Sequence, residues 1–300
     1  MRSRDALRRQ KRTSLQHFPE QRPIITMVSA PPVVSTIDLS KPQTWPFSIC
    51  AHFDRFGDVY RAWDAGQGSA ASFDLAVSDL VDRMQPFSLR GWHCTRLTED
   101  EMAEILANGM RLPNQLFLHQ RVDQLESACL ISAQTAKLLR ECNSAADSGR
   151  AEMLWFCFFR PGKAGEGGIG RFFKHWGGEA LYVHHEGNLS TSPELRRIGT
   201  PCIVEAEVPI SFLRSQTSLA LKLIERKLCS IGRAARRGVD HEGAINVPLP
   251  AENIHRLITY PHYEFRRMTG CDRWREPILL ADRDANPMRP LRRRLASSEA

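Results

Sequence analysis

No run of about 18 or more apolar residues occurs in the chain, so no membrane-spanning helix is expected. Basic residues open the sequence without an apolar stretch behind them, which gives no support to a secretory leader. The eight cysteines (Cys50, Cys94, Cys129, Cys142, Cys157, Cys202, Cys229 and Cys271) form no CxxC pair and no Cys/His ligand spacing. A structural zinc site is therefore not expected. Several cysteines, Cys157 in LWFCFF among them, sit in apolar runs where a reduced thiol packs as a small hydrophobe. That usage implies a reducing cytosol. HExxH is missing, and HHE (184–186) and DHE (240–242) lack its spacing, so no metal is expected. There is no GxxxxGK[ST] either. The glycine-rich GKAGEGGIGR (162–171) runs into RFFKHWGG, a poor βαβ continuation, and reads as a surface loop rather than a phosphate cradle. No internal repeat is visible.

What remains is an ordinary globular composition, 42% hydrophobic and 25% charged, at a length of 300 residues that suits one large domain or one with appendages. The formal charge of +7 is unevenly placed, with basic stretches at MRSRDALRRQKR (1–12) and RPLRRRLASSEA (289–300). Residues 1–45 are rich in Arg, Pro and Ser without sustained periodicity, so little fixed structure is expected there. Met27 is a second candidate start. Residues 46–88 read as a helical lead-in, with a helix over 71–84. The folded domain is expected over 89–280, and 281–300 as a basic tail.

The clearest local pattern is RGWHCTRLTEDEMAEILANGM (90–110). Thr98 is a suitable N-cap, and Glu101 three residues on completes a capping box. Leu97 and Met102 are placed to form a hydrophobic staple; Met102, Ile105 and Leu106 make an apolar stripe, and Gly109 supplies the stop. The preceding Trp92-His93-Cys94-Thr95 reads as extended, so His93 and Thr95 face one side of a strand and Cys94 the other. Further strands are expected at EMLWFCFF (152–159), WGGEALYVHHE (176–186), the half-exposed TPCIVEAEVPI (200–210) and around Ala244–Val247. A helix is expected at 218–231 and a short helix or turn at PAENIHRLI (250–258). This order gives an α+β fold.

WHCT before a capped helix ending ILANGM resembles the opening of the ADP-ribosyltransferase superfamily, where a His-x-Thr strand runs into a helix of the form I-xxx-G-[LM]. The branch with a His, Tyr and Glu constellation places a Tyr on a later strand and a Glu near the last one. His93, Tyr182 in EALYV and Glu242 in HEGAINVPLPAENI occur in that order. The final segment is also similar to bacterial members, including DNA-targeting toxins. The resemblance covers roughly 90–262 and implies a mixed or antiparallel split sheet with flanking helices. It further implies cleavage of the nicotinamide–ribose bond of NAD, with NAD as substrate. Glu242 would stabilise positive charge on the ribose. His93 would bind the adenosine ribose, Thr95 would support its strand, and Tyr182 would stack on nicotinamide.

In that family the loop ahead of the catalytic Glu helps choose the acceptor. Here it carries Arg233, Arg236 and Arg237, which favours DNA or RNA slightly over an acidic protein. A toxin, effector or defence role restrained by an antitoxin or inhibitor protein is the biological setting this implies. Cys94 departs from the frequent glycine of the motif, and the long stretch from His93 to Tyr182 requires an insertion. A rival assignment within the superfamily uses Arg96, Ser190-Thr191-Ser192 and Glu205-Ala206-Glu207. It puts Glu205 only thirteen positions after Ser192, which leaves little room for intervening structure. Loop residues and solvent-facing strand carboxylates are the plainer explanation of those positions. A non-catalytic nucleic-acid-binding protein, or a degenerate transferase fold serving as an interaction module, is the alternative function.

Overall fold

The computed structural model describes residues 35–232 and 240–279. Its centre is a six-stranded sheet ordered β5-β3-β2-β4-β6, with β1 (Thr36–Ile37) added in parallel beside the first residues of β2 (Ser88–Leu97). The other neighbours, β3 (Leu154–Cys157), β4 (Thr200–Pro209), β5 (Glu242–Ile245) and β6 (Ile254–Thr259), pair antiparallel. Strands and helices together make an α+β fold.

One face of the sheet packs on helices α1 (Phe47–Asp64), α2 (Ala70–Met84) and α9 (Gln216–Ser230). Alternation decides which side chains go there: Leu89 and Leu97 from β2, Val204, Ala206 and Val208 from β4, and Phe156 from β3 join Ile49, Leu80 and Leu223 in one core. The opposite face is covered by α6 (Gly165–Lys174) and α10 (Tyr263–Thr269), where Cys94, Ile203 and Ile258 meet Ile169, Phe173 and Phe265. Helices α4 (Gln115–Ser127), α5 (Ala133–Glu141), α7 (Glu179–His185) and α8 (Ser192–Arg197) bury a second apolar cluster around Trp176, Leu139 and Leu181.

The helix after the His-Cys-Thr triplet, α3 (Glu99–Asn108), forms as the sequence predicts. The Thr98 side chain accepts from the Glu101 N–H, the Glu101 carboxylate accepts from the Thr98 N–H at 2.8 Å, and Gly109 ends the helix at φ 82°. Helix α2 and the strands at 154–157, 200–209 and 242–245 also match, and PAENIHRLI begins as a short turn before continuing as β6.

Four expectations change. The glycine-rich stretch is not a loop: Ile169 and Phe173, one turn apart, are buried against Phe265 and Trp274, and tertiary packing overrides the glycines' poor propensity. WGGEALYVHHE forms helix α7 rather than a strand, burying Leu181, Tyr182 and His185 at helical spacing. The acidic strand 200–209 is central and buried on both faces, not half-exposed. Finally, residues 35–45 are ordered: Leu39 and Trp45 are buried, and the Trp45 indole N–H donates to the Asp38 carbonyl at 2.8 Å. Helices α1 and α2 of the 46–88 segment bury Ile49, Phe53, Tyr60, Leu80 and Met84 in the sheet's core.

Candidate functional site

The strands β2 and β3 meet at a narrow seam, with Trp92 opposite Cys157 as their register pair. One position further along β2, the His93 ring reaches across and Nδ1 donates to the Trp155 carbonyl at 2.9 Å. Burial pulls this imidazole's pKa below its usual value, and the nearby Arg121 guanidinium adds to the effect; the carbonyl bond opposes them.

Register then fixes which side chains share a face. Glu242 lies opposite Cys157, Cys157 opposite Trp92, Trp92 opposite Glu205 and Glu205 opposite Arg256. Paired residues point the same way, so these five form one row across the whole sheet. At about 4.8 Å per strand the row is about 19 Å long. It runs carboxylate, thiol, indole, carboxylate, guanidinium. His93 and Thr95 belong to the other face, with Phe156, Val204 and Leu257. The seam therefore brings His93 close to β3, but Glu242 leaves the sheet on the opposite side.

The two ends of the row differ. At the β4–β6 end, buried Glu205 accepts from Arg256 Nε at 2.7 Å, and Arg90 approaches it from β2 at 3.4 Å. Arg256 also grips Glu264 with both terminal nitrogens. Burial opposes the Arg256 charge, but Glu264 and Glu205 outweigh it and raise its pKa; Arg256 in turn holds Glu264 below the usual carboxylate range. This end is a closed ion network. The β3–β5 end is open: Glu242 is exposed, its Oε1 lies 4.0 Å from the Cys157 thiol, and Trp155 is 46% exposed on the same face. Trp155 pairs with Ala244, one diagonal step from Glu242, within reach of long side chains. Cys94, a step along β2, has its thiol pKa pushed up by the neighbouring Cys157 thiol and by burial.

Sequence reasoning placed Glu242 correctly at the start of a strand but missed its companions. The alternation of β3 (Leu154 in, Trp155 out, Phe156 in, Cys157 out) carried the signal for Trp155 and Cys157. Glu205, expected to face solvent, is buried and paired. Tyr182 is not on a strand and is not beside His93 or Glu242. Its ring is buried edge-on to Phe172 and beneath Arg171, both of α6, and its hydroxyl donates to Glu179 at 3.4 Å. Thr95 is buried opposite Cys202. Arg233, Arg236 and Arg237 lie outside the described residues. In the rival assignment, Arg96 is buried and bound to main-chain carbonyls, and Ser192 opens α8 with its hydroxyl at His175.

All eight cysteines are free thiols, and among the described residues no three His, Cys, Asp or Glu side chains gather as a metal-binding group. No described helix is long and apolar enough to cross a membrane. No family model, no curated protein and no solved structure matches the chain.

Proposed function

We propose that the chain transfers ADP-ribose from NAD to a macromolecule, with Glu242 as the carboxylate at the reacting ribose. The observation that carries this reading is the exposed Glu242 at the head of β5, sharing a face with the exposed Trp155 indole. An aromatic face beside a carboxylate suits a planar cationic ring attached to a sugar that gains positive charge. NAD supplies that ring and the nicotinamide–ribose bond whose cleavage leaves the charge behind.

The residues divide the work as follows. Glu242 stabilises the ribose charge, and Trp155 takes the stacking role that the resemblance gave to Tyr182. Arg90, half exposed beyond Trp92, presents a cation toward which the diphosphate extends. His93 holds β3 against β2 through the Trp155 carbonyl, and so sets where Trp155 and Cys157 stand; the capped helix α3 anchors the far end of that strand. Thr95 supports it from within. Nucleic acid is the favoured acceptor over protein, because three arginines, Arg233, Arg236 and Arg237, immediately precede β5 in sequence. A toxin, effector or defence protein held in check by an inhibitor is the setting that fits.

A second reading, a non-catalytic nucleic-acid-binding or interaction module on this fold, is favoured by two observations: Tyr182, on α7, is buried against α6, and His93 and Glu242 take opposite faces. Titration of the protein with NAD, followed by tryptophan fluorescence, separates the two. The transferase reading expects saturable binding that weakens about tenfold or more in Trp155→Ala, the loss of one stacked ring. A folded protein that shows no saturable response to NAD in this titration and releases no nicotinamide belongs to the second reading.

A further inference from the structure

Arg96 is the most deeply buried cation of the described chain, at 1% exposure. Its partners are main-chain carbonyls: Nε donates to Ile198, which ends α8, and Nη1 donates to Phe173 in the last turn of α6 at 2.9 Å and to Leu279 at 3.0 Å. Nη2 is buried and has no partner among the described residues. Burial alone pulls the guanidinium's pKa down, to about 10, with no carboxylate contributing in opposition.

Beside it stands His175, 2% exposed. Arg196 Nε donates to His175 Nε2 at 3.1 Å, and the Ser192 hydroxyl lies at 3.1 Å from the same nitrogen. A guanidinium can only donate, so Nε2 is an acceptor and the ring proton sits on Nδ1. Nδ1 is buried and has no partner among the described residues. Burial, Arg196, Arg96 and Lys174 in that order hold the imidazole neutral, with a pKa of about 4, against the opposing Glu276 carboxylate. The two side chains sit between the same pair of segments: Arg96 reaches the Phe173 and Ile198 carbonyls, and His175 meets Ser192 and Arg196.

Two buried N–H groups without acceptors among the described residues, one of them on a guanidinium answered only by carbonyls, cost several kcal/mol unless something accepts from both. Both side chains are sealed by α6, α8 and the 274–279 arm, whose Ile278 is itself buried. A polyatomic anion would demand several more donors than the two on offer. We propose that Arg96 Nη2 and His175 Nδ1 bind a monatomic anion, chloride in the cell, in a buried site behind the sheet. The site is separate from the Glu242 row and does not depend on the transferase reading. It ties together the C-terminal ends of α6 and α8 and the arm at Leu279, so its occupancy governs how firmly that arm is docked.

Thermal unfolding of the full chain at constant ionic strength, with sodium chloride exchanged for sodium gluconate, tests the proposal. The melting temperature is expected to rise by about 2–4 °C for each tenfold increase in chloride above its Kd. A flat response overturns the proposal. His175→Phe keeps the ring volume but removes the Nδ1 donor, and is expected to abolish the chloride response while still folding. Crystals of the full chain grown in bromide supply a readout that no unstable variant can spoil. An anomalous peak within hydrogen-bond distance of Nη2 and Nδ1 supports the site. Phosphate density, a carboxylate from residues 280–300, or water without anomalous signal in that position overturns it.

Discussion

At the scale of single residues, the neighbourhood of Glu242 makes a pH-dependent demand. His241, buried and stacked on Phe158 with centroids 5.9 Å apart, has its pKa lowered from 6.5 to about 4 by burial first and then by Lys222. From pH 6.5 down to about 4 the unfolded chain holds a proton at this imidazole and the folded chain does not. Acid therefore favours unfolding across that window, while above pH 6.5 the contribution to stability is complete. Urea midpoints measured from pH 7 to pH 4 are expected to fall, and His241→Phe, which keeps an aromatic ring against Phe158, is expected to lessen the fall. An equal fall in the variant would remove His241 as its source. Glu242 itself was legible because a carboxylate followed by Gly243-Ala244-Ile245 marks the head of a short strand. Tyr182 was misplaced because the four apolar residues 180–183 fit either period; its burial with Leu181 and His185, at i, i+1 and i+4, belongs to a helix. The Glu205–Arg256 pair was beyond reach, since two residues 51 apart become neighbours only through the β4–β6 register.

Elements whose signals are local were the ones legible in the sequence. Helix α3 carries its start, its stripe and its stop within twelve residues, and the capping box appears as predicted. Thr98→Ala removes the side-chain acceptor for the Glu101 N–H, and a stability loss of about 1 kcal/mol is expected in urea unfolding. Gly109→Ala should cost more: φ is 82°, and an added Cβ would run into the Leu249 carbonyl. A smaller loss for Gly109→Ala than for Thr98→Ala would contradict this account of how the helix is anchored. Helix α6 shows the opposite case. Four of its ten residues are glycines, and the burial of Ile169 and Phe173 together with Glu166 accepting from the Arg275 and Glu276 N–H groups helps to hold it. None of those partners is nearby in sequence, so the local reading chose a loop.

For the whole molecule, the sheet's largest core joins the N-terminal end of the described chain to strands and helices as far along as Leu257. Ile37 and Leu39 from the N-terminal side, α1, α2 and α9 all bury against β2 and β4, and the Ile210 N–H donates to the Phe87 carbonyl at 3.0 Å. The boundary expected near residue 89 therefore cuts through one core. A fragment of residues 89–279 is expected to lose cooperative thermal unfolding, while 35–300 keeps it; a fragment 89–279 that melts cooperatively would restore the lead-in as a separate unit. The function read from this architecture rests on Glu242. The most direct measurement is nicotinamide release from NAD by the purified full chain, with and without nucleic acid, comparing the wild type with Glu242→Gln. The account predicts release by the wild type and a loss of about a hundredfold or more in the variant, with folding unchanged. Equal release by both proteins would contradict the role given to Glu242, and no release by a folded wild type under either condition would contradict the transferase itself.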